Sequence, residues 1–190
     1  MRAKSKEEND LQQWKTLVTE EIFNSRWLRL RRDTCRLPNG REIDDYYVVE
    51  APFGAAIVAL TEDSELVLVR QYKHGLGKIV LELPAGNVDD DEEPADTIVR
   101  ELREETGYVA SDVKFVATLS TKPARMSAQT FIYFASNVKQ EAQQQQKDNE
   151  VINIVLMPVK ELPSLIKRGD IVTETSLAAL LMVWDKLTTL

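Results

Sequence analysis

The residues best suited to chemistry lie between Gly86 and Gly107, where Glu92, Arg100, Glu101, Glu104 and Glu105 fall in one short interval. On a helix each residue turns ~100°, so Glu101, Glu104 and Glu105 share one arc. Ala95, Ile98, Val99 and Leu102 occupy the neighbouring arc, which is expected to face a core. Carboxylates side by side repel one another, and like charges four residues apart destabilise a bare helix. The cluster makes physical sense if cations neutralise it. Hard oxygen donors on a rigid helix suit Mg²⁺ or Mn²⁺, which would keep waters and take phosphate oxygens as remaining ligands. Arg100 adjoins the cluster and carries a planar fork that can orient a carboxylate. Just upstream, Glu82-Leu83-Pro84-Ala85-Gly86 ends a strand at proline and glycine, leaving backbone carbonyls as further donors. An acidic helix face is by itself usually a solvated surface; here the two glycines, the arginine and their spacing set it apart.

The elements that must position this cluster can be read from the pattern. Residues 1–11 are polar and aperiodic, as in a frayed tail. From Trp14 to Glu50 the text alternates like strands, with Pro38-Asn39-Gly40 as a hairpin turn and Tyr46–Val49 closing an N-terminal antiparallel sheet. More apolar strands follow at Ala55–Leu60, Leu66–Tyr72 and Ile79–Leu83. A helix is expected from Glu93 to Thr106, opened by acidic residues and Pro94 and closed by Gly107. Strands resume at Val113–Leu119, Thr130–Ala135 and Val151–Met157, before helices at Val159–Arg168 and Glu174–Lys186. The segment from Glu141 to Glu150 is polar and glutamine-rich, as in a mobile loop. This order implies an α+β (mixed α/β) chain: residues 1–50 as the N-terminal sheet and 51–190 as a mixed sheet with helices on both sides.

Bulk properties narrow the class. With 190 residues, 43% of them hydrophobic and 29% charged, the chain has the make-up of an ordinary globular protein with a sizeable core. A net charge of -7 argues against generic binding of nucleic acid or anionic membranes. It agrees better with phosphate chemistry bridged by divalent cations, which invert the local field. No apolar run is long enough for a membrane span, and the charged N-terminus lacks the apolar stretch of a signal peptide. The lone cysteine, Cys35, allows no internal disulfide and reads as a half-buried strand residue. A cytoplasmic enzyme is the expectation.

The segment from Gly86 resembles the Nudix box: glycine, five residues, glutamate, seven residues, then Arg-Glu-apolar-any-Glu-Glu-any-Gly-apolar. Gly86, Glu92, Arg100, Glu101, Glu104, Glu105 and Gly107 fill every fixed position. At average residue frequencies such a match arises by chance about once in 10⁸ placements. The soft departure is Tyr108, where the pattern prefers an aliphatic residue. The resemblance implies an α/β/α sandwich and divalent-cation-dependent attack of water on a nucleoside diphosphate linked to another group. It also implies Glu101, Glu104, Glu105 and the carbonyl of Ala85 as metal ligands. Glu92 and Arg100 become supporting residues, Arg100 holding the glutamates in place.

Weaker features resemble the ADP-ribose pyrophosphatase and nucleoside diphosphate sugar hydrolase subfamily. Pro123 lies sixteen residues beyond Gly107, where that subfamily carries a proline, although here it stands in Lys122-Pro123-Ala124-Arg125 rather than a Ser-Pro-Gly turn. The lead-in motifs Ser25-Arg26-Trp27-Leu28, Leu37-Pro38-Asn39-Gly40 and Val69-Arg70-Gln71-Tyr72-Lys73 match it as well. From this resemblance the N-terminal sheet would build a homodimer. Trp27 would stack on the base or anchor the dimer core, with Tyr46 as its partner. Arg70, Lys73 and Arg125 would contact the substrate, Lys73 without the bidentate fork of the more usual arginine. Glu150 would be the catalytic base on a mobile loop. His74 is assigned no role. Two alternatives stand beside this reading: a Nudix hydrolase of dinucleoside polyphosphates or other nucleotides, and a non-catalytic nucleotide-sugar sensor, which an intact box disfavours.

Overall fold

In the computed structural model, residues 11–145 and 151–188 are described. The chain divides into two compact units, one formed by residues up to Ala51 together with Lys122–Ser127, the other by Pro52–Thr121 and the chain from Ala128 onward. By sequence order the short segment Lys122–Ser127 falls in the second region, 51–190. It joins the first because Val49 donates its N–H to the Arg125 carbonyl at 2.8 Å, and Ser127 donates to the Val49 carbonyl at 3.1 Å.

The first unit is a three-stranded antiparallel sheet, β1 (Lys15–Asn24), β2 (Arg29–Arg36) and β3 (Glu42–Glu50), in the order β1-β2-β3. The turn between β2 and β3 uses Gly40 at φ +83°, where a side chain would be strained. Its N–H reaches the Leu37 carbonyl at 2.9 Å, and Asn39 Oδ1 accepts the N–H of Arg41 at 3.0 Å. Cys35 is buried at 5% exposure rather than half-buried, because it occupies the central strand between Thr16 and Ile43. Asp33, at 3% exposure, is buried with polar partners in place: Arg31 Nε reaches it at 3.0 Å and the Thr19 hydroxyl donates to it at 2.9 Å.

The second unit is a mixed eight-stranded sheet covered on both faces. Its strands are β4 (Gly54–Thr61), β5 (Glu65–Lys73), β6 (Lys78–Glu82), β7 (Ala85–Asn87), β8 (Tyr108–Val109), β9 (Lys114–Ser120), β10 (Gln129–Gln140) and β11 (Ile152–Pro158). The main path runs β11-β5-β4-β10-β8, with β4 and β10 parallel and the other pairs antiparallel. Side chains along β4 alternate between two cores. Ala55, Ile57 and Ala59 join Ile98 and Leu102 of helix α1 (Pro94–Thr106). Ala56, Val58 and Leu60 join Leu162 and Leu165 of α2 (Leu162–Arg168), Ala179 and Leu180 of α3 (Glu174–Met182) and Leu187 of α4 (Trp184–Thr188). A strand covered on both faces is apolar throughout, which is why Ala55–Leu60 shows no alternation in the sequence.

Several boundaries differ from the sequence reading. The helix expected at Val159–Arg168 begins as a 3₁₀ turn, Val159–Glu161, before α2. The terminal helix breaks at Val183, and the ends of the box form two short strands of their own, β7 and β8, separate from β6 and β9. Three-residue and two-residue strands leave too little alternation to read.

Candidate active site

Helix α1 carries the box. Pro94 sits in its first turn without a side-chain cap, and Gly107 closes it at φ +73° with its N–H on the Arg103 carbonyl at 2.8 Å. The buried face is Thr97, Ile98, Glu101, Leu102, Glu105 and Thr106. Ala95, expected on that face, is exposed, and Val99 is only half-buried. The helix is rotated so that two carboxylates, not two more apolar side chains, turn inward.

Those carboxylates meet the strand end at consecutive residues. Glu105 Oε2 accepts the N–H of Ala85 at 3.1 Å. Glu101 lies against Gly86 so closely that a Cβ there would fall 2.3 Å from Glu101 Cδ. Gly86 is therefore required for space, since its φ is not positive. The strand end itself is held by Pro84, whose carbonyl accepts the N–H of Ile57 at 3.1 Å. Both glutamates are nearly withdrawn from water, at 6% and 7% exposure.

Arg100 organises the rest. Its Nε and Nη2 grip the two oxygens of Glu92 at 2.9 and 2.8 Å, a bidentate pair. Nη1 reaches Glu101 Oε1 at 2.6 Å and Glu104 Oε2 at 3.5 Å. The Thr97 hydroxyl adds a hydrogen bond to Glu92 Oε2 at 2.7 Å. Together, Arg100 first and Thr97 second, these donors pull the Glu92 carboxyl down to about 2 from 4.5, and the carboxylates raise the Arg100 guanidinium in turn. Thr97 was not singled out in the sequence; its role appears only once the loop before α1 folds Glu92 back over the first turn.

The donor chemistry suits a hard divalent cation: two buried carboxylates on successive turns, beside an exposed Ala85 and a residue with no side chain. Among the described residues no three acidic, histidine or cysteine side chains converge into a complete cage. Arg100 and the Ala85 N–H hold the oxygens instead, and a cation here would draw its remaining ligands from water and substrate.

The other candidate residues are spread more widely. Arg70 is exposed on β5 between Leu81 and Asn153. Lys73, at the end of β5, has its Nζ 2.9 Å from Glu82 Oε1. In the first unit Trp27 is 61% exposed in the turn before β2, with the Arg26 guanidinium 4.3 Å from its ring centre. Tyr46 does not meet Trp27 within this unit. It lies opposite Asp33, six residues further along, a separation of roughly 20 Å in a strand. Its neighbours are Trp14, edge-on at 5.6 Å, and the Arg125 guanidinium at 4.8 Å, while its hydroxyl donates to the Ala124 carbonyl at 2.5 Å. Glu150 lies outside the described residues. Among the described residues before it, Gln145 donates its N–H to the Glu104 carbonyl at 2.8 Å, and Gln144 Nε2 donates to the Ile152 carbonyl at 2.9 Å. Tyr108, the departure from the box, is buried at 7% exposure, and burial raises its phenol.

A sandwich with this helix, this strand end and this carboxylate arrangement defines a class, and comparison with known proteins agrees. The NUDIX domain model matches residues 51–180, so the chain belongs to the Nudix family. The Nucleoside diphosphate sugar hydrolase N-terminal domain matches residues 14–49. Relatives include the ADP-ribose pyrophosphatase of Mycobacterium tuberculosis, 32% identical over 90% of this chain and 83% of that protein. The ADP-ribose pyrophosphatase of Bacillus subtilis is 26% identical over 83% of this chain and 85% of its own. The methanol dehydrogenase activator of Bacillus methanolicus is 32% identical over the same shares. Among solved structures, an ADP compounds hydrolase superposes with a TM-score of 0.82 at 26% identity, covering 94% of this chain and 96% of that one. No helix among the described residues is long and apolar enough to cross a membrane.

Proposed function

We propose that the protein hydrolyses the pyrophosphate bond of ADP-ribose or a related nucleoside diphosphate sugar, giving a nucleoside monophosphate and a sugar phosphate. The observation that carries this reading is the seating of Glu101 and Glu105 against Gly86 and Ala85, with the resemblance of both parts of the chain to nucleotide-sugar hydrolases beside it.

Mg²⁺ is the proposed cofactor, with Mn²⁺ as a substitute. Glu101, Glu104, Glu105 and the Ala85 carbonyl would hold it. Bound there, it supplies charge neutralisation for the diphosphate and a lowered pKa for the attacking water. The chain's own contribution is positional. Arg100 fixes Glu92, Glu101 and Glu104 relative to one another, and the Ala85 N–H fixes Glu105. Glu150 is the proposed base that takes a proton from water as its oxygen attacks phosphorus and the bridging oxygen leaves. Lys73, Arg70 and Arg125 are proposed substrate contacts and Trp27 a proposed wall for the base; Tyr46, opposite Asp33, is too far along the sheet to be the facing wall within one unit.

We further infer a homodimer through residues 1–50 in the cytoplasm. Val18, Ile22, Phe23 and Trp27 leave between 43% and 61% of their surface exposed on this unit, which a second copy would cover. The reduced setting of the cytoplasm is compatible with a single cysteine. Light scattering reads the oligomeric state directly.

The test of function is turnover of ADP-ribose, ADP-glucose, GDP-mannose, UDP-glucose, diadenosine polyphosphates and nucleoside triphosphates, with and without Mg²⁺. Metal-dependent cleavage of nucleotide sugars is the expected result. Preference for dinucleoside polyphosphates or triphosphates would move the protein to another Nudix substrate class. Binding without turnover of any compound would make it a sensor.

A further inference from the structure

In the second unit a buried carboxylate outside the box stands close to it in sequence. Glu82, at the end of β6, is 9% exposed and lies opposite Val69 in the β5–β6 ladder. Its strand neighbours Leu81 and Leu83 point into the core beneath α2, α3 and α4, so alternation turns Glu82 to the face that carries α1. Burying a charge on that face costs free energy, and an apolar side chain of similar volume would serve stability as well or better. Two donors converge on a single oxygen of this carboxylate: Gln71 Nε2 and Lys73 Nζ, each at 2.9 Å from Oε1.

The register shows what this does to Lys73. Its backbone lies at the turn end of the β5–β6 hairpin, opposite Lys78, four residues beyond the position that faces Glu82. Unanchored, such a lysine would extend past the hairpin into water. The ion pair folds it back along β5, above Gln71, toward the strand end that continues into Leu83, Pro84 and Ala85. From Glu82 to Ala85 is three residues, at most about 10 Å of chain. An ammonium with one N–H on Glu82 retains two more donors for anionic oxygens.

We propose that Glu82 is a positioning residue: it holds the ammonium of Lys73 on the side of Ala85 and Gly86 at the start of β7, ready for the diphosphate of the substrate. The proposal rests on the reading of the chain as a nucleotide-sugar pyrophosphatase. A flexible lysine loses rotamer freedom when it grips a ligand. Here the folded protein has already restrained it, so that loss is not charged to substrate binding.

The experiment is a double-mutant cycle on ADP-ribose hydrolysis at saturating Mg²⁺ with Lys73→Met, Glu82→Gln and the combination. Glu82→Met serves as a second variant, since it removes the charge while keeping the volume. We expect Glu82→Gln and Glu82→Met each to raise KM about fivefold to tenfold, with kcat changed no more than about twofold. In the Lys73→Met background, Glu82→Gln should add almost nothing, because its partner is gone. Effects that multiply, or a KM unmoved by any variant, would overturn the proposal while leaving wild-type cleavage and the function reading standing. Absence of wild-type cleavage of any nucleotide sugar would instead remove the function reading, and this inference with it.

Discussion

Replacing Gly86 with alanine is the sharpest perturbation the structure offers. The added methyl would lie 2.3 Å from Glu101 Cδ, 2.4 Å from Cγ and 2.5 Å from Oε1. Ordinary contact lies at roughly 3.5 Å, so something must move by roughly 1 Å. The backbone around Gly86 is pinned on both sides, by the Pro84 carbonyl on Ile57 and by its place in β7 opposite Ala55. The Glu101 carboxylate is the softer partner, and it must leave its position beside β7. Overpacking costs about 1–3 kcal/mol, offset in part by about 0.4–1 kcal/mol from the stiffer unfolded chain. The net loss of stability should therefore be about 1–2 kcal/mol. A displacement of ~1 Å in a group that positions the reaction costs on the order of a hundredfold in rate. Gly86→Ala should thus fold, melt only a few degrees lower, and turn over ADP-ribose about a hundredfold more slowly, with more Mg²⁺ needed for half-maximal rate. Near-normal turnover at unchanged Mg²⁺ dependence would refute the placement of Glu101 at the reacting centre. A collapse of stability as large as the collapse of activity would show instead that the close approach of Gly86 to Glu101 is structural.

Other consequences follow from particular contacts. The Glu92 carboxyl, lowered to about 2 by Arg100 and Thr97, adds stability that is fully present above pH 4.5 and is lost as pH falls toward 2. Glu92→Gln should flatten the stability profile across that window and cost roughly 1–2 kcal/mol at neutral pH, measured by urea unfolding. Gly107→Ala places a side chain at φ +73° with its Cβ 2.3 Å from the Ala142 carbonyl oxygen, so a loss of about 2–4 kcal/mol is expected in the same assay. An alanine tolerated there without loss would mean that the Ala142 backbone can yield. Ser176→Ala leaves the buried N–H of Leu83 without its 3.1 Å acceptor and should cost about 1–3 kcal/mol while sparing kcat. A loss of kcat at constant stability would tie α3 to the reaction.

The box was legible in the sequence because its spacing is local. Gly86, Glu92, Arg100, Glu101, Glu104, Glu105 and Gly107 span a turn and one helix, and helical periodicity alone puts the three glutamates on one arc. The apolar runs at Ala55–Leu60 and Leu66–Val69 likewise announced strands covered on both faces. What the tertiary structure decided depends on packing between segments far apart in the chain. Which way α1 turns follows from the sheet beneath it, and that rotation exposes Ala95 and buries Thr97. The use of Gly86 follows from the reach of Glu101 across to β7. That Lys122–Ser127 joins the first unit depends on two backbone hydrogen bonds with Val49, and backbone pairing leaves no mark on residue type. Glu82 is the clearest case: in the chain it is one charge after Ile79, Val80 and Leu81, and only the register of β5 against β6 sets Lys73 and Gln71 upon it. Residue types and short-range spacing specify which chemistry is available, whereas strand register and helix rotation decide which side chains share one space.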